Sequence, residues 1–107
     1  RIANYYDKNI QNPKIRKIQY SKSCIYHQYV ILTKNRKKLI KLLNRNKIQF
    51  GFHYPYAIHQ LNVFKKTFRN KKFKNAEILA KESISLPIDP YLSKKNLKLI
   101  VKKLNEY

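Results

Sequence analysis

Residues 48–61, Ile-Gln-Phe-Gly-Phe-His-Tyr-Pro-Tyr-Ala-Ile-His-Gln-Leu, constrain the chain more than any other stretch. They hold its only glycine, Gly51, two of its three histidines, His53 and His59, and a proline, Pro55, between two tyrosines. The stretch begins with strand-like alternation: Ile48, Phe50 and Phe52 point one way, Gln49, Gly51 and His53 the other. Pro55 has no N–H to give a sheet ladder, so the strand is expected to end near Tyr54. A strand ending in polar aromatics and a histidine, followed by an irregular loop, is a natural place to meet a ligand. On this reading the rest of the chain is scaffold for that edge.

The scaffold can be read in order. Residues 1–11 predict the end of a helix, with Ile2, Tyr5, Tyr6 and Ile10 near helical spacing and Pro13 closing it. Residues 13–24 show no period and predict a loop with a short extended piece. Residues 25–32, Ile-Tyr-His-Gln-Tyr-Val-Ile-Leu, are β-branched and aromatic and predict a mostly buried strand. Thr33 is then a candidate cap for a helix over 34–46, with Leu39, Ile40, Leu42 and Leu43 as its apolar face. A turn at 44–47 leads to the strand over 48–53. Residues 55–73 are irregular, with apolar Leu61, Val63, Phe64 and Phe68 and a basic connection over 69–74. A helix over 75–84 follows, capped by Asn75, with Glu77 in its first turn and Ala76, Leu79, Ala80 and Ser83 on one face. Ser85 to Ile88 predict a short extended piece. Ser93 caps a last helix over 94–106, whose Leu97, Ile100, Val101 and Leu104 show the clearest period in the chain. The expected architecture is α/β (α+β): a small sheet of about three strands backed by helices on one face.

Composition narrows the function classes. The chain has 107 residues, enough for one small domain. No apolar run approaches the ~18 residues a membrane helix needs, and no signal-like segment opens the chain. It starts at Arg1 rather than Met, which suggests a processed chain or a fragment. The lone Cys24 excludes an internal disulfide, and a cytoplasmic protein is expected. The formal charge of +20 suggests a nucleic-acid binder at first sight. Yet Lys, Asn, Ile, Tyr and Phe make up 58 of the 107 residues and Gly, Ala, Pro and Arg only 14, the mark of AT-rich coding. Only 5 of the 25 basic residues are Arg, the side chain suited to bidentate phosphate and guanine contacts. The lysines are scattered rather than gathered in a stripe.

In order, Tyr26-His-Gln-Tyr-Val-Ile31, Arg36 with Leu39 and Leu43, Ile48-Gln-Phe-Gly-Phe-His-Tyr-Pro55 and Ile58-His59-Gln60 resemble a known pattern. Asn75-Ala-Glu77, Leu79-Ala-Lys-Glu82 and Ser85-Leu-Pro-Ile-Asp-Pro-Tyr-Leu-Ser93 continue it. Together they resemble the C-terminal small domain of the DegT/StrS-type sugar-nucleotide aminotransferases, which are pyridoxal-phosphate (PLP) enzymes of aminotransferase fold type I. The chain departs from the family at Lys47 (usually glycine), Phe50 (usually small and polar), Tyr56 (near a usual proline) and Asp89 (usually histidine). The resemblance implies a division into residues 1–12, a helix leading from a large domain, and 13–107, the small domain. It implies pyridoxal 5'-phosphate as cofactor, a nucleotide-linked keto-sugar and an amino donor, typically glutamate, as substrates, and a homodimer. It also implies that the aldimine lysine and the carboxylate facing the pyridine nitrogen lie in the large domain, so that the fragment alone does not transaminate. Some relatives use PLP for sugar dehydration instead.

Candidate substrate-binding residues are His53, Tyr54 and His59, and each has a plainer reading beside it. His53 closes over the cleft, in the family's manner, or pairs with a carbonyl and stiffens its turn. Tyr54 stacks or hydrogen-bonds to a ligand, or is a half-buried wall. His59 contacts substrate or the other subunit, or is a turn histidine. His27 reads as a satisfied core residue. The histidines lack metal spacing, so no metal site is expected. No catalytic residue is assigned within the chain. A basic module binding RNA or another polyanion is the rival reading.

Overall fold

A computed structural model describes residues 1–107. Four helices and a three-stranded antiparallel sheet share one core. The elements are α1 (Ile2–Asn9), β1 (Arg16–Lys17), β2 (Tyr29–Leu32), α2 (Arg36–Arg45), α3 (Lys74–Glu82), β3 (Ser83–Leu86) and α4 (Lys94–Glu106). Two single 3-10 turns, Ile58–Gln60 and Asn62–Phe64, lie between α2 and α3. The strand order is β1-β2-β3, with Ile31 opposite Ile84 and Val30 opposite Ser85. Tyr29 and Ile31 of β2 and Ile84 and Leu86 of β3 enter a single cluster with Ile2 and Tyr6 of α1, Leu39 and Leu43 of α2, and Leu97 and Leu104 of α4. No helix is long and apolar enough to cross a membrane.

α4 matches its predicted span, and Ser93 Oγ accepts from the Asn96 N–H at 3.1 Å. The predicted buried residues Leu97, Ile100, Val101 and Leu104 are all buried. α1 belongs to the same core, and the Tyr6 hydroxyl donates to the Pro87 carbonyl at 2.7 Å. The Tyr29 hydroxyl donates to Asp7 Oδ1 at 2.5 Å. Burial first, and then the Asp7 hydrogen bond, push its pKa well above tyrosine's ordinary value.

Several elements differ from expectation, each for a local reason. β2 begins only at Tyr29, because Tyr26 adopts a φ of 52° and turns the chain. The cap of α2 is Asn35, whose Oδ1 accepts from the Lys38 N–H at 3.2 Å. Thr33 instead continues the sheet, donating its N–H to the Glu82 carbonyl, and its buried hydroxyl pairs with the Tyr107 hydroxyl at 2.9 Å. Asn75 does not cap α3, because Glu77 reaches back to accept the Phe73 N–H at 3.0 Å. α3 buries Ala80 but leaves Ala76 and Leu79 exposed, so the face expected to pack on a neighbour is only partly used.

The largest difference is at 48–53, which forms one rung rather than a strand. Gly51 and Ser85 exchange both backbone hydrogen bonds, at 3.0 and 2.9 Å. In an antiparallel ladder the next such rungs are Gln49 with Pro87 and His53 with Ser83. Pro87 has no N–H to donate. The Ser83 N–H is already given to the Leu79 carbonyl at the end of α3. The pairing therefore stops on both sides, while Ile48, Phe50 and Phe52 share one side as the alternation predicts, and that side packs on the core.

α2 ends in a Schellman motif. The Ile48 N–H donates to the Leu43 carbonyl at 2.9 Å and the Lys47 N–H to the Asn44 carbonyl at 3.0 Å. Lys47 sits at φ 54°, in the left-handed region. The resembled family usually has glycine at this position, and the geometry gives the reason. Replacing Lys47 by Gly is expected to raise unfolding free energy by up to about 1 kcal/mol, read as a higher urea midpoint at unchanged m-value. A lower midpoint would mean that the side chain contributes contacts that outweigh the strain.

Candidate functional site

The candidate site is the corner that follows the Gly51 rung. His53, Tyr54, Pro55 and Tyr56 are all exposed, Tyr54 at 73 %. Tyr54 is thus not a half-buried wall: its ring and hydroxyl face solvent, with the His53 ring set edge-on to it at 5.9 Å. The cis peptide is His53–Tyr54; the bonds before Pro55 and Pro87, which sequence leaves open, are trans.

His53 does not pair with a carbonyl. Its Nδ1 lies 2.9 Å from Ser85 Oγ, on the strand across the rung. The bare face of Gly51 is filled by this histidine's own ring rather than by a ligand or a neighbouring chain. A Cβ at position 51 would meet His53 Cε1 at 2.7 Å. The glycine is needed so that the ring can fold back over its own strand.

His59 is placed differently. Its Nε2 lies 3.0 Å from Glu77 Oε1, its side chain is only 10 % exposed, and its ring packs against Phe73 with centroids 4.9 Å apart. Phe73 meets Phe68, which meets Phe64. These rings tie the loop between the corner and α3 into a small aromatic unit. His53 and Tyr54 therefore share one corner, and His59 is held by α3. His27 lies before β2 and is exposed, contrary to its reading as a core residue. No group of three or more His, Cys, Asp or Glu side chains is placed to hold a metal ion.

Sequence reasoning gave no role to Arg36 or Ser85. Arg36 Nη1 donates to the Ala80 carbonyl at 2.7 Å and the Ser83 carbonyl at 3.3 Å, and its guanidinium lies 4.9 Å from the centre of the Phe52 ring. It ties the end of α3 to the residue just before His53.

The Glu77 carboxyl is held below the ordinary carboxylate range, first by the Phe73 N–H and then by His59. A carboxyl lowered in the folded state adds stability above its unfolded value, and that contribution fades as pH falls through the folded one. The loop over 57–73 is therefore expected to loosen as pH drops below the ordinary glutamate value of 4.5. Amide exchange at Phe73 and Glu77 should rise in that window, and Glu77→Gln should remove the pH dependence. Unchanged exchange down to pH 3 (about one unit below the ordinary range) would refute the role.

The five acidic side chains are all engaged within the chain: Asp7 with Tyr29, Glu77 with His59, Glu82 with Arg16, Asp89 with the Tyr91 N–H and Glu106 with Lys103. The positive excess is left facing solvent. Every lysine is exposed except Lys103, which is partly exposed and paired with Glu106.

This fold is that of the small domain of the fold type I aminotransferases, as the solved structures it matches show. A solved structure of an aminotransferase from Helicobacter pylori, PseC, involved in the biosynthesis of pseudoaminic acid, superposes on 98% of this chain with a TM-score of 0.82 and 26% identity. A DegT DnrJ EryC1 StrS aminotransferase from Brucella abortus does so over 98% with a TM-score of 0.84 and 22% identity. A dTDP-3-amino-3,6-dideoxy-alpha-D-galactopyranose transaminase from Aneurinibacillus thermoaerophilus is 30% identical over 99% of the chain. Residues 1–105 match the DegT/DnrJ/EryC1/StrS aminotransferase family, and the chain belongs to it. It spans 30% of the curated relative and 30% and 29% of the two solved chains.

Proposed function

We propose that this chain is the cleft-forming small domain of a cytoplasmic, PLP-dependent enzyme that transfers an amino group, typically from glutamate, to a nucleotide-linked keto-sugar. Family membership supports the sugar aminotransferase class. The observation that carries the site is the His53–Tyr54 corner, presented to solvent at the edge of the sheet and braced from behind by Ser85. Substrate contact is assigned to His53 and Tyr54. His59 supports the loop through Glu77, with Nδ1 left for the ligand or the other subunit.

The residues of this chain do not by themselves fit the cofactor. PLP chemistry needs a desolvated amine and a carboxylate against the ring nitrogen. The lysines here are solvated or paired and the carboxylates are engaged elsewhere. The cofactor-binding groups are assigned to a large domain of the same polypeptide. Eight of the eleven exposed large apolar side chains fall between residues 54 and 79, which supports a face covered by that domain or by a second subunit.

The test uses the complete polypeptide that carries this chain, purified with PLP and assayed for glutamate-dependent amination of nucleotide-linked keto-sugars. His53→Ala is expected to raise KM about tenfold, the worth of one hydrogen bond. Turnover to a dehydrated sugar without amination would assign the enzyme to the dehydrating relatives. Retention of RNA at physiological salt by the isolated chain, with no sugar turnover by the whole, would favour the polyanion-binding reading.

A further inference from the structure

We infer that Ser85 is a positioning residue that fixes which nitrogen of His53 carries the proton, and so makes His53 a hydrogen-bond donor to an oxygen of the bound ligand. This rests on the reading of His53 as a substrate contact.

Ser85 sits on β3 and is 7% exposed. Its backbone is committed to the rung with Gly51, and its Oγ has one partner, His53 Nδ1 at 2.9 Å. A hydroxyl has one proton to give, and a neutral imidazole has one nitrogen that donates and one that accepts. If Nδ1 carried the proton, Ser85 Oγ would accept it, and the hydroxyl proton would be left without an acceptor in a buried place. A buried donor left unpaired costs about 1–3 kcal/mol. If Ser85 donates to Nδ1 instead, every group is satisfied, and the ring proton sits on Nε2. The ring turns its Cε1 edge toward Gly51, and Nε2, on the exposed His53, has no hydrogen-bond partner within the chain. Nε2–H is therefore left free to donate to a ligand at the exposed corner. A fixed, unpaired N–H selects for acceptor oxygens, of the kind carried by a sugar carbonyl, a sugar hydroxyl or a phosphoryl group. It offers nothing to a ligand that presents only donors.

The test is long-range 15N–1H NMR on the complete polypeptide labelled with 15N-histidine. The His53 signal is the one lost in His53→Gln. In the wild type, Nδ1 is expected in the unprotonated range and Nε2 in the protonated range. Ser85→Ala should shift both toward the average of two interchanging tautomers, and Ser85→Thr, which keeps a hydroxyl, should restore the wild-type pattern. With the nucleotide-linked sugar as substrate, Ser85→Ala should raise KM several-fold and Ser85→Thr should not. A wild-type proton on Nδ1, or an unchanged His53 signal in Ser85→Ala, overturns the assignment whatever the activity. The expected tautomer in a polypeptide that shows no transamination upholds Ser85 and counts against the proposed function instead.

Discussion

Ile84→Ala is expected to lower unfolding free energy by about 2–5 kcal/mol, which lies within the range for truncating a fully buried aliphatic side chain. Ile84 is 0% exposed and stands opposite Ile31 in the β2–β3 ladder. It belongs to the single core cluster that also takes in residues of α1, α2 and α4, so its removal leaves a cavity in a closely packed interior with little freedom to collapse. A small domain has about 5–15 kcal/mol in total. A loss of this size lowers the melting temperature by roughly 10 °C or more. Ser83→Ala, one residue away on the same strand, is the control. The Ser83 hydroxyl is buried with no hydrogen-bond partner, so its removal should be neutral or mildly stabilising. If both variants cost the same by urea titration, the damage comes from disturbing β3, and the assignment of Ile84 as a core wedge is wrong.

How far the sequence reveals this molecule depends on how local each cause is. The last helix is fully legible, because Ser93 and the apolar period of Leu97, Ile100, Val101 and Leu104 lie within one segment. That Ile48, Phe50 and Phe52 share one side is legible for the same reason. The failure of 48–53 to become a strand is not. It depends on Pro87 and on a Ser83 N–H already used by α3, both thirty or more residues away in the chain. The corner itself can be placed from Gly51, His53 and Pro55. Its bracing cannot, because Ser85 lies 32 residues from His53 and serine in a short strand carries no signal of a partner. His59 reads like a ligand-facing histidine until Glu77, 18 residues on, is seen to hold it. The resemblance supplied the family, and it also marked Lys47, whose left-handed backbone explains the usual glycine.

Arg36 gives the second large effect, and it links the core to the site. Its guanidinium donates to two carbonyls at the junction of α3 and β3 and lies against Phe52. Arg36→Ala leaves both carbonyls without that donor and removes the ring contact. A hydrogen bond from a charged donor is worth about 1.5–3 kcal/mol, and a partly exposed cation–π contact about 0.5–1 kcal/mol. Water reaches part of this site, since Arg36 is only half-buried, so the expected loss is about 2–3 kcal/mol rather than the full sum. Arg36→Lys should recover less than half of it. An ammonium can reach one carbonyl but has no plane to lay on Phe52 and no fork to span two acceptors. The effect should also travel. Phe52 directly precedes His53, so releasing its ring lets the corner drift and weakens the bond from Ser85 to His53 Nδ1. Arg36→Ala should therefore speed amide exchange at Ser83 and Gly51 and disturb the His53 ring signals together. If stability falls while those ring signals stay put, Arg36 braces only the helix end, and the corner owes its shape to Gly51 and Ser85 alone.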